Sequence, residues 1–300
     1  MAELAAVGQQ QRLQRLRGRP PSLWRRLSGH RSALLGGSIV AVLLAVALVG
    51  PLVAPYDPVA MDLSNRFLPP SLAHPFGTDD FGRDVFTRVI HGARISLQVG
   101  IIAIGIAGTL GSLLGLLTGY VGGWLDAAGQ WLVDVLLAFP GLLLALAIIA
   151  VLGPGLPNVM VAVGIGSMPA YARLMRGQVL SLKHDEFVEA ARVIGCSSAR
   201  ILFVHILPNT LSPIIVLASL GFAGAVLSAA ALSFIGMGAQ PPTPEWGAML
   251  ATGREYLRDE WWIATFPGVA IALTVLGFNL LGDGLRDALD PQGRTARIGR

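Results

Sequence analysis

Three hundred residues would make about two average soluble domains, but the composition excludes them. The chain is 53% hydrophobic and only 13% charged, with a mean hydropathy of +0.64, where ordinary soluble chains carry about 25% charged residues. So few charges cannot cover so much apolar surface in water, and the composition predicts an all-α, polytopic membrane protein. Of the 22 basic residues only Lys183 is a lysine, and the 18 acids leave a net charge of +4. The arginines are scattered at the ends of apolar runs, which excludes a nucleic-acid-binding face. The one cysteine, Cys196, has no partner for an internal disulfide or a metal site.

Taken in chain order, six apolar segments reach the ~20 residues that a crossing helix needs. They lie near 33–54, 95–118, 131–152, 157–175, 210–236 and 262–282. The first is too long for a signal-peptide core and reads as an uncleaved anchor. Gly111, Gly115 and Gly119 recur every four residues in the second, so one face lets another helix approach closely, within the chain or in a second subunit. Pro140 is expected to kink the third. The fourth is the weakest: Gly164, Gly166, Ser167 and Pro169 dilute it, and Arg173 ends it. It belongs against other helices or a water-filled path rather than in lipid.

The connecting segments set the orientation. The first 32 residues, the 176–209 connection with Arg173, and the tail after Asp283 hold sixteen basic residues, against six in 55–94 plus 237–261. The positive-inside rule then puts both termini in the cytoplasm. The arginines of 12–31 are expected to set this orientation and touch anionic lipid. In 81–94, Phe81, Val85, Phe86, Val89 and Ile90 oppose Arg83, Asp84, Thr87 and Arg88, as in a helix lying at the outer interface, either a surface strut or a docking element. Trp246, Trp261 and Trp262 read as interfacial anchors, with substrate contact as the other role.

Several chemistries are missing. No segment has the phosphate-cradling loop that ends Gly-Lys-Ser/Thr, since His184 follows the only lysine. There is no HExxH or CxxC pair and no GxSxG elbow. Ser167 and His205 sit in unrelated stretches, which argues against a serine hydrolase. Ion-driven carriers keep ionisable groups deep in their spans. Here Asp126, Asp134 and Asp283 fall at inner ends, and Asn279 is the most polar group of the last helix. The energy must come from elsewhere.

The 176–209 connection is the informative segment. His184–Ile194 predicts a short helix, with Asp185 and Glu186 at its positive end. Phe187, Ala190, Ala191 and Ile194 form one apolar stripe, and Gly195 stops the helix. Ser197 or Ser198 caps a second helix, Ala199–His205, ending before Pro208. The spacing Glu189-Ala190-Ala191, three residues, Gly195, eleven residues, Leu207-Pro208 resembles the EAA loop of binding-protein-dependent ABC importer permeases. His205 stands where that pattern has isoleucine. His74 to Asp84, Gly238 to Gly247 and Asn279 to Asp287 look like the dipeptide and oligopeptide C-type permeases, so the resemblance covers most of 33–291. Near Asp134, Gln130-Trp131 stands where a basic residue belongs.

The resemblance implies a type I ABC importer permease in the bacterial inner membrane. It comprises a basic cytoplasmic tail (1–32), a first span and outer loop (33–94), a permease core (95–285) and a second tail (286–300). Implied partners are a second related permease, two ATPase subunits that bind ATP and magnesium, and an extracytoplasmic substrate-binding protein. The chain itself would hold no cofactor or metal and catalyse nothing. Phe187, Glu189, Ala190, Ala191, Ile194, Gly195, Leu207 and Pro208 would form the ATPase-docking knob. Asp79, Arg83, Asp84, Glu245 and Trp246 are the proposed contacts for the binding protein. Dipeptides or short oligopeptides are the implied cargo, with glutathione or nickel as alternatives within the family. An ATP-independent channel or receptor subunit is the reading from another class.

Overall fold

The computed structural model describes residues 30–289, so the basic stretch before His30 and the tail after Leu289 lie outside the described residues. Among the described residues there is no strand, only an isolated bridge between Thr78 and Asp84. The helices are α1 (Arg31–Val53), α2 (Val85–Val121), α3 (Gly123–Ala138), α4 (Gly141–Leu152), α5 (Leu156–Leu182), α6 (Glu186–Val193), α7 (Ser198–Phe234), α8 (Trp246–Gly253) and α9 (Trp262–Leu289). α1, α2, α7 and α9 are each long and apolar enough to cross a bilayer. α3 and α4 qualify together as one span, bent by 98° at Phe139-Pro140. The expected kink is thus a full break, because Pro140 supplies no N–H to continue the ladder.

α5 is long enough, at 27 residues, yet not apolar enough to qualify alone. Its packing explains how it can still cross. A side chain added at Gly111 would meet the Met168 carbonyl at 2.5 Å; at Gly115 it would strike the Ala172 carbonyl, and at Gly119 the Arg176 carbonyl at 3.1 Å. The missing side chains of α2 therefore let the α5 backbone lie directly against it within the same chain. Residue numbers rise together along this contact, from Gly164 beside Ala103 to Val179 beside Gly119, so α2 and α5 are parallel. Two parallel spans require the chain to return across the membrane between them, which assigns one crossing to the bent α3–α4 pair. Six crossings result, and Arg31 and Leu289 end on the same face.

α1 closes the bundle. It is apolar all round, as a membrane helix is, but buries only the stripe Ala33, Gly36, Val40, Leu43, Ala47 and Gly50. That stripe runs antiparallel to α9, Gly36 against Leu281 and Ala33 against Gly284. α7 joins α9 through Phe222 stacked on Phe278 at 3.9 Å. One large core fills the space among α1, α2, α4, α5, α7, α8 and α9. A second, small core holds α6 beneath α2 and α5. The two membrane faces are accordingly the knob face, carrying α6, and the platform face, carrying 54–84 and 235–261.

Candidate functional site

On the knob face, α6 is eight residues long, with Glu186 and Glu189 in its first turn, where the helix dipole favours negative charge. Val188 and Ala191 are buried against Leu116 of α2, Met175 and Val179 of α5, and Ile201, Leu202 and Ile206 of α7. The expected single stripe is therefore split. Ala191 faces the chain with Val188, a residue that the stripe omitted, while Phe187, Ala190 and Ile194 face outward beside Val193, itself 87% exposed. Glu189 is exposed among them. α6 is apolar on two sides, and periodicity over two turns could not say which side meets its own chain.

Gly195 ends α6 at φ +81°. Its N–H donates to the Arg192 carbonyl and that of Cys196 to the Ala191 carbonyl, both at 3.0 Å. This is a Schellman turn, whose left-handed residue favours glycine. Ser197 supplies the next cap, accepting from the Arg200 N–H at 3.4 Å. The second knob helix does not stop before Pro208. It continues as α7 through a π-helical stretch, Ile201–Ile206, in which the Leu207 N–H reaches the Leu202 carbonyl. The wider turn absorbs Pro208, which has no N–H to offer. Phe203 and Val204 are exposed, Leu207 is half-buried and Pro208 exposed.

Just above the knob, α5 grips α3 with two ion pairs. Arg176 donates twice to Asp126, both at 2.6 Å, and Arg173 donates to Asp134 at 2.9 Å. The basic partner expected next to Asp134 in α3 thus comes from α5. Lys183 Nζ reaches the Gly119 carbonyl at the end of α2 at 3.4 Å, where helix carbonyls lack partners.

The platform face is built from buried polar groups. Asp79 accepts from the N–H groups of Phe81 and Arg83 and from Arg83 Nε at 2.7 Å. Burial and then neighbouring Asp79 push the Asp80 carboxyl above its ordinary range. Asp84 caps α2, accepting from the Thr87 N–H at 2.7 Å, and pairs with His74 at 2.9 Å. Arg88 Nη1 donates to the carbonyls of Pro58 at 2.7 Å and Pro242 at 3.3 Å. Glu245 caps α8 through Gly247 and Ala248 and accepts from Ser96 Oγ at 3.2 Å. Burial raises its carboxyl above the ordinary glutamate range despite these donors.

Asp79, Arg83, Asp84, Glu245 and Trp246 are therefore all inside the protein, at most 5% exposed. The expected interfacial helix at 81–94 is corrected too: from Val85 onward it is the first part of α2, and its polar side faces inward, where Arg83 and Arg88 meet a carboxylate and loop carbonyls. Two of the three supposed interfacial tryptophans are internal pins. Trp246 Nε1 donates to the Val89 carbonyl at 2.9 Å and Trp262 Nε1 to that of Thr78 at 3.1 Å. Trp261 alone of the three stays largely exposed, at 48%.

This fold and these two faces define a multi-pass membrane permease. Residues 111–295 match the family described as binding-protein-dependent transport system inner membrane component, and residues 22–70 match the N-terminal transmembrane domain of oligopeptide transport permease C. The chain belongs to that transport-system family. It is 49% identical over 269 residues to the dipeptide transport system permease protein of Alkalihalophilus pseudofirmus, covering 90% of this chain and 88% of that one. It is 52% identical over 270 residues to the glutathione transport system permease protein of Escherichia coli, covering 90% and 89%. Among solved structures, the inward-facing methionine ABC transporter MetNI superposes with a TM-score of 0.55 at 19% identity, covering 68% of this chain and 97% of that one. That likeness speaks to the fold.

Proposed function

We propose that this permease imports dipeptides or short oligopeptides, as one of two related permease subunits driven by two ATPase subunits. The observation that carries the coupling role is the exposed set Phe187, Ala190, Val193, Ile194, Phe203 and Val204 on the knob. Several exposed apolar side chains on one projecting element call for a protein partner. The knob seats in a groove of an ATPase, with Glu189 pairing to a basic group there, while Gly195, Leu207 and Pro208 fix its shape. ATP and magnesium belong to that partner. Closure of the ATPases swings the knob and, through α2 and α5, the spans as rigid bodies.

The sixteen basic residues on the knob side and in the tails support a cytoplasmic knob and cytoplasmic termini. The platform then faces outward and receives a substrate-loaded binding protein. Since Asp79, Arg83, Asp84, Glu245 and Trp246 are internal, they shape its surface from within. The dipeptide relative and the oligopeptide N-terminal domain support peptide cargo. The glutathione relative supports a second reading, since glutathione is itself a short peptide.

The test is uptake of labelled dialanine by cells expressing the complex, with unlabelled glutathione as competitor, alongside co-purification of ATPases. ATP-dependent dialanine uptake that Phe187→Ala and Glu189→Ala abolish is the expected result. Uptake of glutathione alone replaces the dipeptide reading, and passive uptake without any ATPase overturns the importer.

A further inference from the structure

α2 differs from the other long spans in one respect. Pro51 lies in α1, Pro169 in α5, Pro213 in α7 and Pro267 in α9, and α3–α4 breaks at Pro140. α2 runs 37 residues without a proline. Proline is the commonest cause of a sharp helix kink, so α2 is the long span that runs as one helix without that break. Its length is about 55 Å at the usual rise per residue, beyond the ~30 Å of the hydrocarbon layer. It therefore joins the two faces.

Each end of the rod is built into one face. At the platform end, Arg88 ties the Pro58 carbonyl of one loop and the Pro242 carbonyl of the other to the same point, with its Nε 3.5 Å from Asp79. At the knob end, Leu116 belongs to the small core that holds Val188 and Ala191 of α6. Between them, the glycine face of α2 is seated on the α5 backbone, so the lower half cannot turn independently of α5.

We propose that α2 carries the signal from a partner seated on the platform to α6, and that Arg88 is the positioning residue that makes both loops and the rod one body. The inference rests on the importer reading above and adds the path by which a loaded binding protein acts on the ATPases. Arg88 touches neither partner. One nitrogen, Nη1, donates to both carbonyls while Nε lies 3.5 Å from Asp79, a two-sided arrangement that the single ammonium of lysine does not reproduce.

The experiment uses the full complex in liposomes, with its soluble binding protein loaded with dialanine. Arg88→Gln and Arg88→Lys are expected to keep basal ATPase activity and the half-saturating concentration of binding protein. Maximal stimulation should fall about tenfold in the glutamine variant, within the usual range for coupling between distant sites. Ile101, exposed midway along α2, gives an independent handle: Ile101→Gly softens the rod and lowers stimulation, whereas Ile101→Ala leaves it unchanged. Unchanged stimulation in both Arg88 variants overturns the proposal, as does a parallel fall of basal and stimulated rates, which marks a merely structural role. A wild-type complex that ignores its binding protein overturns the importer reading and this inference with it. Stimulation without dialanine uptake removes only the dipeptide cargo.

Discussion

At the platform face, Asp79, Arg83, Asp84, Arg88 and Glu245 are each at most 5% exposed and are held by backbone groups and one another. At the knob face, Phe187, Val193, Ile194, Phe203 and Val204 are between 40% and 87% exposed. The platform has drawn this one charged cluster inside, although Met61, Leu63, Leu72 and Trp261 around it stay exposed, and the knob has left a group of apolar side chains in the open. Buried polar groups that are fully satisfied rigidify the structure around them, whereas an exposed apolar patch lowers its free energy only when a partner covers it. The charged cluster of the platform is thus held within the single chain, and the exposed apolar side chains of the knob suit a protein partner.

Four experiments press on that contrast. Trp246→Ala empties a buried site and removes the indole hydrogen bond to the Val89 carbonyl; we expect a loss of about 3–5 kcal/mol, seen as a large fall in the thermal midpoint in detergent. A variant that folds normally and loses only binding-protein affinity would make Trp246 a surface contact after all. Next, Val188→Ala and Phe187→Ala separate the two sides of α6. The first should cost about 2 kcal/mol by thinning the small core. The second should stay within about 0.5 kcal/mol in stability and yet lose ATPase co-purification. Equal stability effects would erase the split.

Gly195→Ala places a side chain in open space but in a left-handed backbone, at about 1–2 kcal/mol; loss of ordered α6 should show as faster amide exchange there. The smallest effect is expected from pH. Burial raises the Glu245 carboxyl in the folded protein, so folded chains keep that proton at pH values where unfolded chains have lost it. Its contribution to stability is full below the ordinary glutamate value and is lost as pH rises through the raised one. Glu245→Gln should flatten this part of the thermal midpoint against pH.

The knob was legible because its signal is local. The spacing from Glu189 to Pro208, the glycine stop and the Ser197 cap all lie within one stretch of chain. The glycines of α2 were legible for the same reason, since four-residue spacing marks one helix face. What spacing could not supply was direction. Val188 and Phe187 are neighbours in sequence and both apolar, and only the hydrophobic cluster beneath α6 decides which turns inward. The platform was the least legible. Arg88 finds Pro58 and Pro242, positions 30 and 154 residues away, through backbone carbonyls that carry no residue signature. The same charged residues that look like a contact surface in the sequence are an interior once these distant loops fold over them.

The continuity of α2 has a consequence for how the chain can change length. Each residue turns a helix by about 100°, so inserting or deleting one between Arg88 and Gly111 would rotate every position below it. With Arg88 still anchored to both loops, the glycine face would leave the α5 backbone, and Leu116 would swing out of the core under α6. The loops at 54–84 and 235–261 can gain or lose residues wherever their anchors are spared, but the stretch from Arg88 to Gly119 is a ruler. Its residue count, more than the identity of its outward-facing side chains, is what this architecture holds constant.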